Sequence, residues 1–232
     1  MDCNVLDTID NFETLREVME FTSPEVFYVV SIIQRAKDFK DGFSERKHKE
    51  HFCRHFFIRS LEEYDKLKPK IIEECEKNNA RAYFGLDAKN MRKVLALQIQ
   101  EEVQLLSRPK FDGSEVLKYR KNFDGIPRMK ECSESSLRMV HIDLDKTGSD
   151  GLDLCSMLHD EIQPFGKFTV LTTINGYHFF RKIRAPEGNV NVQELGNLLA
   201  KFRAQNDLQE NELELKMNSM TLLYYKETDK YL

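Results

Sequence analysis

The sequence predicts an α+β protein of two lobes, and three observations lead to this fold class. With 232 residues, of which 41% are hydrophobic and 32% charged, the chain can bury a full core. Segments with strand-like and helix-like patterns alternate along both halves. A loop-like stretch with Gly113, Pro127 and several serines separates the halves. We therefore predict an N-terminal lobe over residues 1–110, a connecting loop over 111–136 and a core domain over 137–232.

The N-terminal lobe is predicted to run strand, strand, helix, strand, helix. The strand segments are rich in β-branched and aromatic residues. Ser60 and Glu63 form a capping-box signature in front of apolar residues at helical spacing. The predicted elements are strands over residues 26–33, 51–58 and 80–86 and helices over 61–77 and 90–106. This ββαβα lobe is expected to pack against the C-terminal half.

The C-terminal half is predicted to contain the order βαββαβ. Asn175 and Gly176 tolerate the positive φ of a type I′ turn, which predicts a hairpin between the strands on either side of them. The predicted elements are strands over residues 137–144, 168–174, 177–183, 212–216 and 221–225 and helices over 152–162 and 192–205. This order is that of a ferredoxin-like or RRM-like sheet, with one face open for a polar site.

Composition and charge set limits on location and partners. The net charge of −4 and the pI of about 5.9 give no overall basic field, so charge neither supports nor excludes a polynucleotide partner. The five scattered cysteines include no C-x-x-C pair and predict free thiols in a reducing compartment. No signal-peptide pattern follows Met1, and no apolar run reaches about 18 residues. We expect a cytoplasmic protein that does not enter a membrane.

Asp143 and Asp145 form the pattern that points most directly to chemistry. Two residues apart on a strand, they project from the same face, roughly 7 Å apart at Cα. Carboxylates this close repel each other and are more stable when Mg²⁺ or Mn²⁺ draws them together, and such ions support phosphoryl transfer. Glu212 and Glu214 share a strand parity that could supply a third ligand. In the alternative interpretation, both aspartates only occupy the solvated face and the end of a strand.

Three basic residues have both a functional and a structural interpretation. His178 begins the second hairpin strand, where it could contact a ligand or only a neighbouring strand. Lys182 shares that parity and could contact phosphate, or it could belong to a solvated strand end. Arg81, between Ala80 and Ala82, could contact phosphate or nucleic acid, or it could form a structural salt bridge.

The core domain resembles the archaeo-eukaryotic primase superfamily, whose members include primase-polymerases. The resemblance lies in a hydrophobic-Asp-hydrophobic-Asp strand, a hairpin that carries Gly-Tyr-His, and a later acidic strand. It implies that Asp143 and Asp145 bind catalytic metal ions, that His178 contacts the phosphate of a nucleotide, and that Glu214 is the third acid. It covers residues 137–225.

The whole chain is also similar to a group of uncharacterised phage and bacterial proteins. Members of this group share an Asn-Ala-Arg-Ala-Tyr strand, Asp-x-Asp, Asn-Gly-Tyr-His and a final Thr-Leu-Leu-Tyr. The matching positions are residues 79–83, 143–145, 175–178 and 221–224. If the chain is viral, the expected location is the host cytoplasm.

These patterns lead to one main hypothesis and two alternatives. The main hypothesis is a metal-dependent nucleotidyl- or phosphoryl-transfer protein that acts in DNA replication with Mg²⁺ or Mn²⁺. Its catalytic residues are Asp143, Asp145, His178 and Glu214, and its partner is a nucleotide, a nucleic acid or both. The first alternative is a non-catalytic phage protein that binds nucleic acid or nucleotide. The second is a metal-dependent nuclease, which shares the carboxylates but needs a positioned water.

Overall fold

Ten strands and five helices follow one another in the residues that the computed structural model describes, 8–35, 50–107, 125–134, 137–183, 191–217 and 220–226. The strands are β1 (Thr8–Asp10), β2 (Val26–Arg35), β3 (Glu50–Ile58), β4 (Arg81–Gly85), β5 (Lys89–Asn90), β6 (Arg138–Leu144), β7 (Thr169–Thr172), β8 (Tyr177–Ile183), β9 (Leu213–Met217) and β10 (Met220–Lys226). The helices are α1 (Phe12–Val18), α2 (Leu61–Asn78), α3 (Met91–Leu106), α4 (Gly148–Ile162) and α5 (Val192–Gln205). Of the predicted connecting loop, residues 111–124 and 135–136 lie outside the described residues.

The first sheet is antiparallel and has the strand order β1-β10-β4-β2-β3, with β5 added to β2. Helix α2 packs against it and turns Tyr64 and Ile71 into the core. The helix begins where the capping signature predicts, because Ser60 Oγ accepts a hydrogen bond of 3.1 Å from the Glu63 amide. It ends at Asn79, which adopts the left-handed conformation with φ of 45°.

The second sheet is antiparallel, has the strand order β7-β8-β6-β9 and is covered on both faces. On its outer face, Val140, Ile142 and Phe179 form a core with helices α4 and α5. On its inner face, Met139 and Phe180 join the core that contains α1, α2 and the first sheet. Asp143 and His141 on the inner face therefore lie buried between the two sheets.

The prediction of a mixed α and β protein is confirmed, since five helices accompany two antiparallel sheets in the described residues. Two finer expectations need correction. The sequence places its last strand with the core domain of residues 137–232, but β10 lies in the first sheet between β1 and β4. Leu222 and Leu223 are both buried, so alternation along β10 could not show which sheet it joins. The inner face of the second sheet is only partly open, because the first sheet packs against Met139 and Phe180.

The hairpin between β7 and β8 also differs from its prediction. A two-residue type I′ turn would need positive φ at both Asn175 and Gly176. Instead Thr172 faces Tyr177, and a four-residue loop connects them, closed by a 2.8 Å hydrogen bond from the Thr173 amide to the Gly176 carbonyl. Of Asn175 and Gly176, only Gly176 has positive φ. The longer loop lies against the end of β6, which places it beside the Asp-x-Asp segment.

Asn11 joins the two sheets just before α1. Its Nδ2 donates hydrogen bonds to the Thr172 carbonyl at 3.1 Å and to the Leu222 carbonyl at 2.8 Å. Thr172 belongs to the second sheet and Leu222 to the first, and the Asn11 side chain is buried between them. Among the described residues, no helix has the length and apolar character needed to cross a membrane.

We predict that Asn11→Ala destabilises the fold by about 1–3 kcal/mol, because it leaves buried carbonyl groups without a donor. Urea unfolding measures the change. Asn206→Ala is the matched control, since within the described residues Asn206 Nδ2 donates to the Phe202 carbonyl of its own helix end at 2.9 Å and to no other sheet or helix. Equal losses in the two variants would show that Asn11 does not join the sheets.

Candidate functional site

A polar cleft of about 190 Å³ lies between the inner face of the second sheet and one end of the first sheet. Its charged and polar lining is drawn from both sheets, with Arg35 and Arg81 on one side and His141, Asp143, His178 and Lys216 on the other. A larger hollow of about 720 Å³ lies near the ends of α4 and α5, but its charged lining residues are Asp160 and Glu161. The smaller cleft therefore has the denser set of functional groups.

Asp143 is the centre of the polar row on the second sheet. Its backbone faces His178 on β8 and Glu214 on β9, so three polar side chains lie on neighbouring strands at one level. Asp143 Oδ1 is 3.0 Å from His178 Nε2, and Lys216 Nζ donates a hydrogen bond to Asp143 Oδ2. The same Nζ is 3.1 Å from Glu214 Oε2. One nearly buried carboxylate, 8% exposed, thus contacts two basic side chains.

The charge of this carboxylate is fixed by its neighbours. Burial by itself would raise the pKa of Asp143, but the close contacts and charges of His178 and Lys216 hold that pKa well below its usual range. Burial would likewise lower the pKa of Lys216, but the bonds to Asp143 and Glu214 raise it instead. Asp143 and Lys216 are therefore a charged pair at neutral pH.

His178 is fixed at both ring nitrogens. Nδ1 is 2.8 Å from Thr221 Oγ1 on β10, while Nε2 faces Asp143. The Thr-His-Asp chain resembles the order of groups in a hydrolytic triad, but Thr221 is fully buried and its hydroxyl is closed to a substrate. The interaction instead sets the orientation of the imidazole ring from the first sheet.

His141 lies next to His178, with the two ring centroids 4.4 Å apart. Burial and then the charge of His178 lower the pKa of His141 to about 3, against the opposing effect of Asp143. This imidazole is therefore neutral at physiological pH. It fills the base of the cleft without adding positive charge.

The two arginines of the first sheet are held by aromatic rings. The guanidinium of Arg81 lies 5.0 Å from the ring centre of Tyr225, and that of Arg35 lies 4.8 Å from the ring centre of Tyr83. Stacking on an aromatic face fixes the plane of a guanidinium, whose N–H donors all lie in that plane. The cleft thus has a wall of oriented donors opposite the Asp143 row.

The residues predicted from sequence are only partly brought together. Asp143, His178 and Arg81 line the cleft, and so does Asp145, which is exposed just after the end of β6. Glu214 lies beside Asp143 in register but contacts Lys216. The remaining predicted phosphate contact, Lys182, forms an ion pair of 3.1 Å with Glu20 and is not part of the cleft lining.

Asp143 and Glu214, two of the carboxylates predicted to bind Mg²⁺ or Mn²⁺, contact basic side chains instead of forming an open cation site. Within the described residues, no group of three or more histidine, cysteine, aspartate and glutamate side chains is arranged to hold a metal ion. Both oxygens of Asp143 contact basic groups, and Glu214 contacts the same ammonium of Lys216. Asp143 and Glu214 therefore do not form a ready cation cradle while Lys216 lies between them.

Three residues of the cleft were missed from the sequence. Lys216 shares strand parity with Glu214, and His141 shares it with Asp143, so alternation could have placed both on the inner face. Arg35 ends β2, two residues beyond the predicted strand, and no local pattern distinguishes it. Its role depends on β2 and β6 meeting across the cleft, which is a tertiary relation.

The chain thus defines a mixed α and β protein with two facing antiparallel sheets and a cleft of paired charges between them. It matches no family model, no curated protein and no solved structure. The charged and polar side chains of the cleft are therefore the basis for inferring its function.

Gly176 lets the hairpin loop approach the end of β6. A Cβ at this position would lie 1.9 Å from the Leu144 carbonyl oxygen and 2.7 Å from the Lys146 amide. We predict that Gly176→Ala moves the loop away from β6 and lowers stability. Gly196→Ala in α5 is the control, because no atom lies within 4 Å of its Cβ and alanine should stabilise a helix by about 0.5–1 kcal/mol.

Thermal unfolding of the two glycine variants measures this difference. A Gly176→Ala protein as stable as the wild type would contradict the close approach.

We predict that His141 makes the fold less stable as the pH is lowered from about 6.5. Its folded pKa is about 3, so the unfolded state binds more protons between these values. Stability should fall towards acid by at most about 1.4 kcal/mol per pH unit from this residue. His141→Gln should flatten the slope between pH 5 and 6.5, measured by urea unfolding.

His159→Gln, at a partly exposed histidine of α4, is the control for removal of a histidine outside the cleft. An unchanged slope in His141→Gln would show that His141 takes up its proton equally in both states.

Proposed function

We propose that the cleft binds a phosphate group of a nucleotide or a nucleic acid. The observation that carries this proposal is the placement of Arg35 and Arg81 from one sheet and His178 and Lys216 from the other around a single small cavity. Guanidinium groups match phosphate oxygens with two parallel hydrogen bonds, and an ammonium group adds a point charge. An anion with several acceptor oxygens suits this lining better than an apolar or cationic ligand does.

The size of the cleft favours phosphate recognition over enclosure of a whole nucleotide. Pockets that enclose small-molecule ligands usually measure about 300–1,000 Å³. The cavity here measures about 190 Å³, which accommodates a phosphate group with its sugar and base outside. Either a nucleotide held by its phosphates or a polynucleotide held by its backbone fits this description.

The fold supports the same proposal. Residues 138–217 run strand, helix, strand, strand, helix, strand, and both helices cover one face of the sheet. We assign this part to the ferredoxin-like or RRM-like class, in which the face without helices commonly binds nucleic acid. In this protein that face meets the first sheet, so the ligand would enter at the cleft.

A second candidate is metal-dependent nucleotidyl or phosphoryl transfer, as in a primase-polymerase or a nuclease, with a role in DNA replication. The observation that favours it is that Asp143 and Asp145 line the same cleft. Mg²⁺ is usually held by one or two carboxylates together with substrate phosphates, so the ion would arrive with the ligand. Bound there, Mg²⁺ or Mn²⁺ would supply charge stabilisation to the transferred phosphoryl group. Arg81 and His178 would hold the phosphates, and Asp145 would remain accessible at the mouth.

We predict that Arg81→Gln weakens binding of a fluorescently labelled single-stranded oligonucleotide or a nucleoside triphosphate by about tenfold or more. The free energy of one charge-assisted hydrogen bond corresponds to a loss of affinity of about tenfold or more. Titration followed by fluorescence anisotropy, or by calorimetry for the triphosphate, gives the dissociation constants in EDTA and in Mn²⁺. Arg81→Lys, which keeps the charge, should show a smaller loss.

Arg54→Gln is the control for loss of charge, because Arg54 pairs with Glu74 of α2 and is not part of the cleft lining. Circular dichroism confirms that each variant is folded. Equal affinity of wild type and Arg81→Gln for both ligands would refute phosphate binding in the cleft.

Asp145→Asn separates the two candidates, because Asp145 is exposed and its loss should leave the fold intact. A transfer enzyme should lose nearly all primer extension or nuclease product with Mn²⁺ in this variant, since a neutral amide holds the ion poorly. A binding protein should form no product in either case and should retain its ligand.

A further inference from the structure

Lys216 occupies the position between the two carboxylates that the sequence predicts as metal ligands. Its Nζ donates to Asp143 Oδ2 on β6 and lies 3.1 Å from Glu214 Oε2 on its own strand β9. Register brings Asp143 opposite Glu214, so the ammonium lies where a cation bridging the two acids would lie. A divalent cation and the ammonium need the same oxygen lone pairs, so they compete for this place.

We propose that Lys216 is the built-in counter-cation of Asp143 and Glu214 and takes the place of a divalent ion in the protein without ligand. The carboxylates become available to a cation only when the ammonium moves away. This inference rests on the proposed function, because it concerns the same cleft and describes how that cleft is regulated.

The side chain of Lys216 has the freedom to make this movement. It is 37% exposed, whereas that of Asp143 is 10% exposed, so the lysine can leave the site more easily than the carboxylate. A lysine stem has four rotatable bonds, and its ammonium is strongly attracted to phosphate. His178 stays in place, because Thr221 and Asp143 hold both of its ring nitrogens.

Ligand and cation should therefore bind with positive coupling. A phosphate in the cleft draws Lys216 away from Asp143 and leaves the carboxylate to a cation, while a cation on Asp143 releases Lys216 to the phosphate. By thermodynamic linkage, each must raise the affinity of the other by the same factor. A phosphate-dependent cation site is the expected behaviour, in contrast to a site that is filled permanently.

The test measures binding of Mn²⁺ alone, from the electron paramagnetic resonance signal of free Mn²⁺. We expect weak binding by the wild-type protein and binding at least about tenfold tighter by Lys216→Met, the factor that corresponds to one charge-assisted hydrogen bond. Lys216→Gln, which is polar and uncharged, should show the same gain in Mn²⁺ affinity. It provides the same test if the methionine variant does not fold. Lys216→Arg should remain weak.

Lys226→Met is the matched control, because Lys226 forms an ion pair of 3.1 Å with Glu76 and is not part of the cleft lining. It removes the same charge from the protein and should leave Mn²⁺ affinity at the wild-type value. Adding Asp143→Asn to Lys216→Met should abolish the gain. Unchanged Mn²⁺ affinity in both uncharged Lys216 variants, or a gain that survives Asp143→Asn, would overturn the inference.

Failure of this inference can be distinguished from failure of the proposed function. Phosphate binding is read from the oligonucleotide titration in EDTA, which contains no Mn²⁺ and depends on Arg81. A Mn²⁺ gain in Lys216→Met, with neither the oligonucleotide nor the nucleoside triphosphate bound in EDTA, supports the counter-cation and refutes the phosphate ligand. Oligonucleotide binding without any gain of Mn²⁺ affinity in Lys216→Met supports the phosphate ligand and refutes the counter-cation.

Discussion

The buried charge of Asp143 is the interaction on which the cleft depends. A carboxylate removed from water is tolerated when hydrogen-bonded cationic groups surround it, and loss of one such partner leaves an uncompensated charge. His178 and Lys216 come from the strands on either side of Asp143, and Thr221 holds His178 from the other sheet. Compensation of the buried Asp143 charge therefore requires β6, β8, β9 and β10 to meet at this point.

Elements with strong local patterns could be predicted from the sequence. Helix α2 begins at its cap, and the inner and outer faces of β6 follow alternation, because both depend on neighbouring residues alone. Helix α1 and β1 are too short for periodicity to show, with seven and three residues. The sheet that β10 joins could not be predicted, because both of its faces are buried and the choice of partner depends on the whole fold.

The candidate site, like the fold, could be predicted from the sequence only where it depends on residues close together along one strand. Parity placed Asp143 with Asp145 and His178 with Lys182, and the register of the strands brings Asp143 opposite His178. Parity could not show that Lys182 meets Glu20 or that Lys216 meets Asp143, since these partners are distant in sequence. A pattern of acidic residues thus indicated a cation, and the tertiary structure brings the ammonium of Lys216 to Asp143 and Glu214.

The position of β10 between β1 and β4 determines when the protein can finish folding during synthesis. Until the ribosome has released β10, the edge of β4 and its backbone hydrogen-bonding groups have no strand partner, and β1 has no place in the sheet. Unpaired edges invite association with other chains, and pairing of elements far apart in sequence slows folding. The nascent chain must therefore keep a partly built first sheet from aggregating while the second sheet is still being translated.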